Sequence, residues 1–141
     1  MLATSRISPA IRKVLSGIPH YDPFRGAADF YFDEAEWEMR REFFETILTH
    51  QKGEFAGREF RLEPWQQSII ANLFGWKHRV TNMRHYREAL IMVARKNGKT
   101  PLAAGIAASV FIQDDEPGME VHSAAAEAEQ AGLTWSTGKH M

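Results

Sequence analysis

Hydrophobic and polar positions follow different periods along this chain, and the changes of period mark its elements. Pro9 to Leu15 fits one short helix, with Pro at a position where the missing N–H is harmless. Gly17, Pro19, Pro23 and Gly26 then interrupt any longer helix. Residues 1–32 therefore read as an irregular N-terminal arm whose aromatics Tyr21, Phe24, Phe30, Tyr31 and Phe32 fold back onto the domain surface. A base-stacking role for these rings is the alternative, but few basic residues are interleaved with them. From Asp33 to about Gln51 the spacing is helical. Asp33 serves as N-cap, Glu34 and Glu36 complement the helix dipole, and Gly53 is the stop. Trp37, Phe44, Ile47 and Leu48 share one broad apolar face. Arg40 and Arg41 lie among Glu38, Glu42 and Glu45, which predicts a solvated, salt-bridged face rather than a DNA contact. Two glycines and alternating apolar residues from Lys52 to Leu62 predict a small turn or hairpin. A helix follows from Pro64 to about Phe74, ended by Gly75, with Trp65, Ile69 and Leu73 lined up for core packing.

The pattern then changes again. Residues 76–88 are the most basic part of the chain, with Lys77, His78, Arg79, Arg84, His85 and Arg87 around Trp76 and Tyr86. This is either a nucleic-acid patch or an ordinary charged surface connection, and the second reading is preferred. Ala89 to Ala94 is an unbroken apolar run, as expected for an inner strand of a parallel sheet covered on both faces. A polar turn, Arg95-Lys96-Asn97-Gly98-Lys99-Thr100, comes next. An alanine-rich helical segment follows it, with Leu102, Ile106 and Val110 on one face and small residues that allow close packing. Val110 to Glu116 ends in carboxylates like a metal-binding strand, but the helix after Lys99 already fills that interval. A parallel return needs a crossover of a dozen or more residues. Asp114 to Gly118 is thus read as a helix-to-strand turn with solvated carboxylates. Met119 to Ala124 is expected to be a second parallel strand, and Ala125 to about Trp135 a second helix.

The order strand, basic glycine turn, helix has a chemical use. Backbone N–H groups converging at a helix N-terminus favour a polyphosphate, through both their free donors and the helix dipole. Gly98 lets the backbone approach the phosphates, Lys99 extends a charge toward the β- and γ-phosphates, and the Thr100 hydroxyl suits Mg²⁺. The usual pattern G-x-x-x-x-G-K-[ST] has a first glycine where Val93 stands here. Pro101 disfavours helical geometry at Thr100, which predicts a helix that begins one or two residues late.

Composition sets limits on this reading. The 141 residues, 44% hydrophobic, suffice for one modest domain and not for a two-domain motor. Seventeen basic and eighteen acidic residues leave a net charge of −1, so any DNA grip must be local. There is no cysteine, which excludes disulfides and thiolate metal sites. The six histidines do not fall at metal-ligand spacing. No stretch resembles a signal peptide or a membrane span, and a soluble, intracellular protein is expected.

Val93 to Thr100 resembles the variant Walker A of the large terminase subunits of tailed bacteriophages, which commonly lack the first glycine and carry a basic residue in the loop. Leu62-Glu63-Pro64-Trp65-Gln66 upstream resembles the same family. So do Glu116 to Val121, Ala124-Ala125 and Glu129-Gln130-Ala131 downstream. The resemblance spans about residues 37 to 135. It implies an α/β phosphate-loop NTPase fold of the RecA-like kind, a parallel sheet with flanking helices that is incomplete here. Residues 33–141 would be the N-terminal part of the ATPase domain, with its C-terminal part and the nuclease domain absent. ATP and Mg²⁺ are the implied cofactors. Gln66 would read the adenine edge, since a carboxamide can both donate and accept in one plane. Arg95, Lys96, Asn97, Gly98, Lys99 and Thr100 would hold the nucleotide and Thr100 the Mg²⁺. Lys99 and Arg95 would stabilise charge on the transferred phosphoryl group. The implied partners are double-stranded DNA, the terminase small subunit and the portal protein, with a homo-oligomer at full length, no membrane, and the bacterial host cytoplasm as location. No Walker B carboxylate with its following glutamate is evident, so nucleotide binding with slow or no hydrolysis is expected of this chain as a fragment. The alternatives are another phosphate-loop DNA motor, such as a helicase-like ATPase, or a non-catalytic remnant acting as an interaction module.

Overall fold

A computed structural model describes residues 7–50, 54–114, 116–125 and 128–141 of the protein. The chain forms two compact units. One comprises the segment up to Arg41 with Leu62–Ile91, the other Glu42–Arg61 with Met92–Met141.

In the first unit, α1 (Pro9–Leu15) has the predicted bounds, and the Ser8 hydroxyl at its N-cap accepts a hydrogen bond from the Ile11 N–H. Helix α1 packs on α3 (Pro64–Gly75). Polar groups fix that contact: Ser68 Oγ donates to the Val14 carbonyl (2.6 Å) and Asn72 Nδ2 to the Leu15 carbonyl (2.9 Å). Asn72 Oδ1 in turn accepts from the indole N–H of Trp76 (3.2 Å). The Ser68 and Asn72 bonds bring side-chain donors to carbonyls of the last turn of α1, where helical donors run out; the Val14 carbonyl also accepts from the Gly17 N–H (3.2 Å). The only sheet among the described residues pairs β1 (Phe30–Phe32) with β2 (Trp76–His78), antiparallel, with Phe30 opposite His78 and Phe32 opposite Trp76. Leu15, Trp37, Ile70, Ala71, Phe74 and Trp76 are buried here.

Helix α2 (Glu34–Glu42) begins at the predicted cap, where Asp33 Oδ1 accepts from the Glu36 N–H (3.1 Å). The other carboxylate oxygen takes a hydrogen bond from Lys77 Nζ (2.9 Å), which also donates to Glu36 Oε2 (2.9 Å). Strand β2 is thereby tied to the start of α2. Burial alone would raise the Asp33 pKa, but the bonds from Lys77 and the Glu36 and Ala35 amides together hold it below the ordinary value. For Lys77 burial acts downward, and its two carboxylate partners outweigh it and raise the pKa.

The second unit opens with a π-helical turn (Phe43–Ile47) that continues α2 and buries both Phe43 and Phe44. A hairpin-like return follows, with Thr49 bridged to Glu59 and the Phe60 N–H on the Leu48 carbonyl (3.0 Å). Helix α4 (Lys99–Gln113) packs on α5 (Ala128–Gly138) and on the π turn. Trp135 on α5 is exposed.

Several expectations are corrected. The second helix stops at Ile47 rather than near Gln51, because the wider π turn hands over to extended backbone at Leu48. The expected stop, Gly53, lies outside the described residues. The extra residue in that turn also rotates Ile47 off the apolar face, and it is 59% exposed while Trp37, Phe44 and Leu48 are buried. Arg41 does pair with Glu38 at the surface, but Arg40 is buried. Its Nε donates to Glu36 Oε1 (2.8 Å) and its guanidinium lies 4.5 Å from the centre of the Phe74 ring. On α3 the predicted stripe Trp65, Ile69 and Leu73 is half-buried. The adjacent face, with Ile70, Ala71 and Phe74, enters the core.

The largest departure concerns the strands. Ala89 to Ala94 and Met119 to Ala124 form no ladder among the described residues, and the parallel sheet is not present there. Leu90 is 88% and Met92 86% exposed. A strand needs a neighbour to receive its backbone hydrogen bonds, and among the described residues neither segment has one; the Met119 N–H instead closes a turn on the Glu116 carbonyl (3.2 Å). Val110 to Gln113, by contrast, is helical as expected, and Asp114 caps α4 ahead of a turn at Pro117-Gly118.

Replacing Lys77 with Met strands two carboxylates near each other and should lower stability at neutral pH by about 1–2 kcal/mol. Asp33 has a depressed folded pKa, so its contribution is present above the unfolded value of about 4 and is lost as pH falls through the folded one. Lys77 has a raised pKa, so its contribution is lost as pH rises through its folded value, above about 10.4. Urea melts across pH should show the difference between Lys77→Met and wild type shrinking at both extremes.

Candidate phosphate-binding site

Between Ala94 and α4 the backbone makes two left-handed excursions, at Lys96 (φ 66°) and at Gly98 (φ 69°, ψ 18°). Gly98 adopts this conformation without steric penalty. Lys96 does so at a strain on the order of 1–2 kcal/mol. Residues held this way cluster at ligand sites, where the surroundings over-determine them. Gly98 is the N-cap of α4, and the first helical hydrogen bond runs from the Leu102 N–H to the Gly98 carbonyl (3.1 Å).

Helix α4 therefore starts at Lys99 and is not delayed by Pro101. Pro101 occupies the third helical position, where an N–H would have no helical acceptor in any case, so the ring removes nothing the helix uses. Among the described residues, no backbone acceptor pairs with the N–H groups of Asn97, Gly98, Lys99 or Thr100. These donors lie at the positive end of the α4 dipole. Arg95, Lys96, Asn97 and Lys99 are exposed and Thr100 is half-buried. No ion pair among the described residues involves Arg95, Lys96 or Lys99. Three cationic side chains within five residues, beside free amide donors, form an anion-attracting turn.

The opposite face of α4 holds it in place. Leu102, Ala104, Gly105 and Ser109 are buried. Gln66 belongs to the other unit, at the third position of α3. It is 4% exposed, not the solvated helix residue its polarity alone suggests, and its Oε1 accepts from the Glu63 N–H (2.9 Å). That bond makes Gln66 part of the α3 cap. The sequence reading missed the left-handed Lys96, and lysine gives no signal for that conformation. Asp114 sits at the C-terminal end of α4, the far end of a 15-residue helix from Lys99. At about 1.5 Å per residue it lies some 20 Å away along the axis, beyond reach of a metal ion at Thr100.

A family model for the ATPase domain of the terminase large subunit matches residues 64–140, more than half of the chain. The match takes in α3, β2, the glycine turn, α4 and most of the chain after it. Neither the curated proteins nor the solved structures contain a significant match.

Gly98→Ala should destabilise the protein by about 1 kcal/mol, because a Cβ opposes the left-handed turn. Gly98→Asn should lose less, since asparagine tolerates that region. Denaturant titrations followed by circular dichroism give the ranking.

Proposed function

This chain belongs to the family of terminase large subunit ATPase domains, and on that footing we propose that it is the ATP-binding portion of a phage DNA-packaging motor. In such a motor ATP hydrolysis drives double-stranded DNA into a capsid. The observation that carries the reading is the turn at Asn97–Thr100, whose free amide donors precede a helix within the matched region.

In this reading the N–H groups of Asn97, Gly98, Lys99 and Thr100 cradle phosphate oxygens, and Lys99 neutralises the β- and γ-phosphates. Arg95, in the same turn, stabilises charge on the transferred phosphoryl group in cis, and Lys96 adds to the field. The Thr100 hydroxyl is the metal ligand, and Mg²⁺ bound there would supply Lewis-acid charge to the polyphosphate. Double-stranded DNA, the small subunit and the portal are the proposed partners, together with further copies of the protein in a homo-oligomer. No described helix is long and apolar enough to cross a membrane.

The apolar run 89–94 is the strand that a parallel sheet of this fold would place beside the phosphate turn, which would account for its hydrophobicity despite exposure here. Turnover needs a carboxylate beside the metal and a base for water. Asp114 is at the wrong end of α4 for either. The chain as described is therefore proposed to bind Mg·ATP and to hydrolyse it slowly or not at all. Turnover by the purified chain that disappears in Lys99→Ala would refute the second half of that statement.

Mg·ATP at about 100 times its Kd should add roughly 2.7 kcal/mol to the stability of the native state, read as an upward Tm shift. The shift should vanish in Lys99→Ala while the Tm without ligand stays near wild type. A folded wild-type protein with no shift would remove nucleotide binding and leave an interaction module.

A further inference from the structure

The first turn of α4 has no side-chain cap, and Lys99 projects from it into solvent. The position of that turn is therefore set from behind, by the buried face of the helix. Gly105 occupies that face opposite the Phe44 ring of the π turn. A Cβ placed on Gly105 would meet Phe44 Cε1 at 2.4 Å, Phe44 Cζ at 2.9 Å and Leu48 Cδ1 at 3.0 Å. Carbon atoms pack at about 3.5–4.0 Å, so the ring lies where any larger residue would stand. Phe44 has no exposed surface, and it contacts Phe43 and Phe60 edge-on or tilted (ring centres 6.3 and 5.9 Å apart). A swing of the ring would have to displace these buried neighbours. The π turn lets both Phe43 and Phe44 face inward, which successive residues of a regular helix do not readily do.

We propose that Phe44 is a positioning residue for the phosphate site. Its ring, seated in the notch left by Gly105, fixes how far α4 advances and so where Lys99 and Thr100 meet a polyphosphate. The inference rests on the nucleotide reading above. Gly105 follows Thr100 by five residues, about 7.5 Å along the helix axis, so a push at the notch is carried to the first turn by less than two turns of stiff helix. A displacement near 1 Å is enough to matter for a charge-dense ligand.

The test compares Mg·ATP affinity, by titration calorimetry well below each Tm, in wild type, Gly105→Ala, Phe44→Leu and the double variant. Gly105→Ala should weaken binding by about tenfold or more. Adding Phe44→Leu should recover most of the loss, because the smaller side chain vacates the space the new methyl needs. If Gly105→Ala does not fold, Phe44→Leu alone decides, and it should weaken binding several-fold through a slack seat. A purely structural contact would lower Tm in the single variants and leave the Kd of the folded protein unchanged, which overturns the proposal. A wild-type protein that binds no Mg·ATP overturns the nucleotide reading itself, and the positioning role with it.

Discussion

The chemistry of the second unit depends on the sign of one dihedral angle. With φ at 69°, Gly98 turns the chain sharply enough for α4 to begin at the very next residue. The N–H groups of Asn97 to Thr100 then lack backbone acceptors. A residue with a Cβ resists that turn, and a later helix start would fold some of those donors into a loop. Pro101 does not disturb this start. It occupies the position where another N–H would have had no acceptor, so it shortens the donor set without weakening the helix. The left-handed Lys96 two residues earlier keeps the turn tight at some strain.

Hydrogen-bond pairing explains why the helices were legible in the sequence and the strands were not. A helix satisfies its backbone within its own segment, so periodicity and caps suffice to find it. Pro9–Leu15 has the bounds its spacing predicts, Asp33 is the cap its side chain predicts, and Pro64 and Gly75 delimit α3. A strand is defined by a partner elsewhere. Ala89 to Ala94 has the composition of an inner strand, but composition cannot supply the neighbour, and the run lies open. The short strands that did form, Phe30–Phe32 and Trp76–His78, carry no alternation strong enough to announce them. They were read as part of an arm and as a surface connection.

The candidate site was legible to a similar degree. The Gly98-Lys99-Thr100 turn and the helix after it follow from residue types alone. The rotation of Ile47, the burial of Arg40 on Phe74 and the seat of Gly105 against Phe44 arise from three-dimensional neighbours that no local pattern encodes. The π turn is the clearest case, because one extra residue per turn shifts every later side chain of that helix relative to a 3.6-residue forecast.

The distribution of the four tryptophans has an optical consequence. Trp37 and Trp76 are sealed in the first unit and Trp65 is half-buried there, whereas Trp135 on α5 already stands in water. Indole emission shifts to longer wavelength when a dry ring becomes wet. Intrinsic fluorescence of this protein therefore watches the first unit come apart and is almost blind to the second. The helical signal in circular dichroism sums α1, α2 and α3 of the first unit with α4 and α5 of the second, so a loss of ellipticity that does not coincide with the fluorescence change would show the units melting in two steps rather than one.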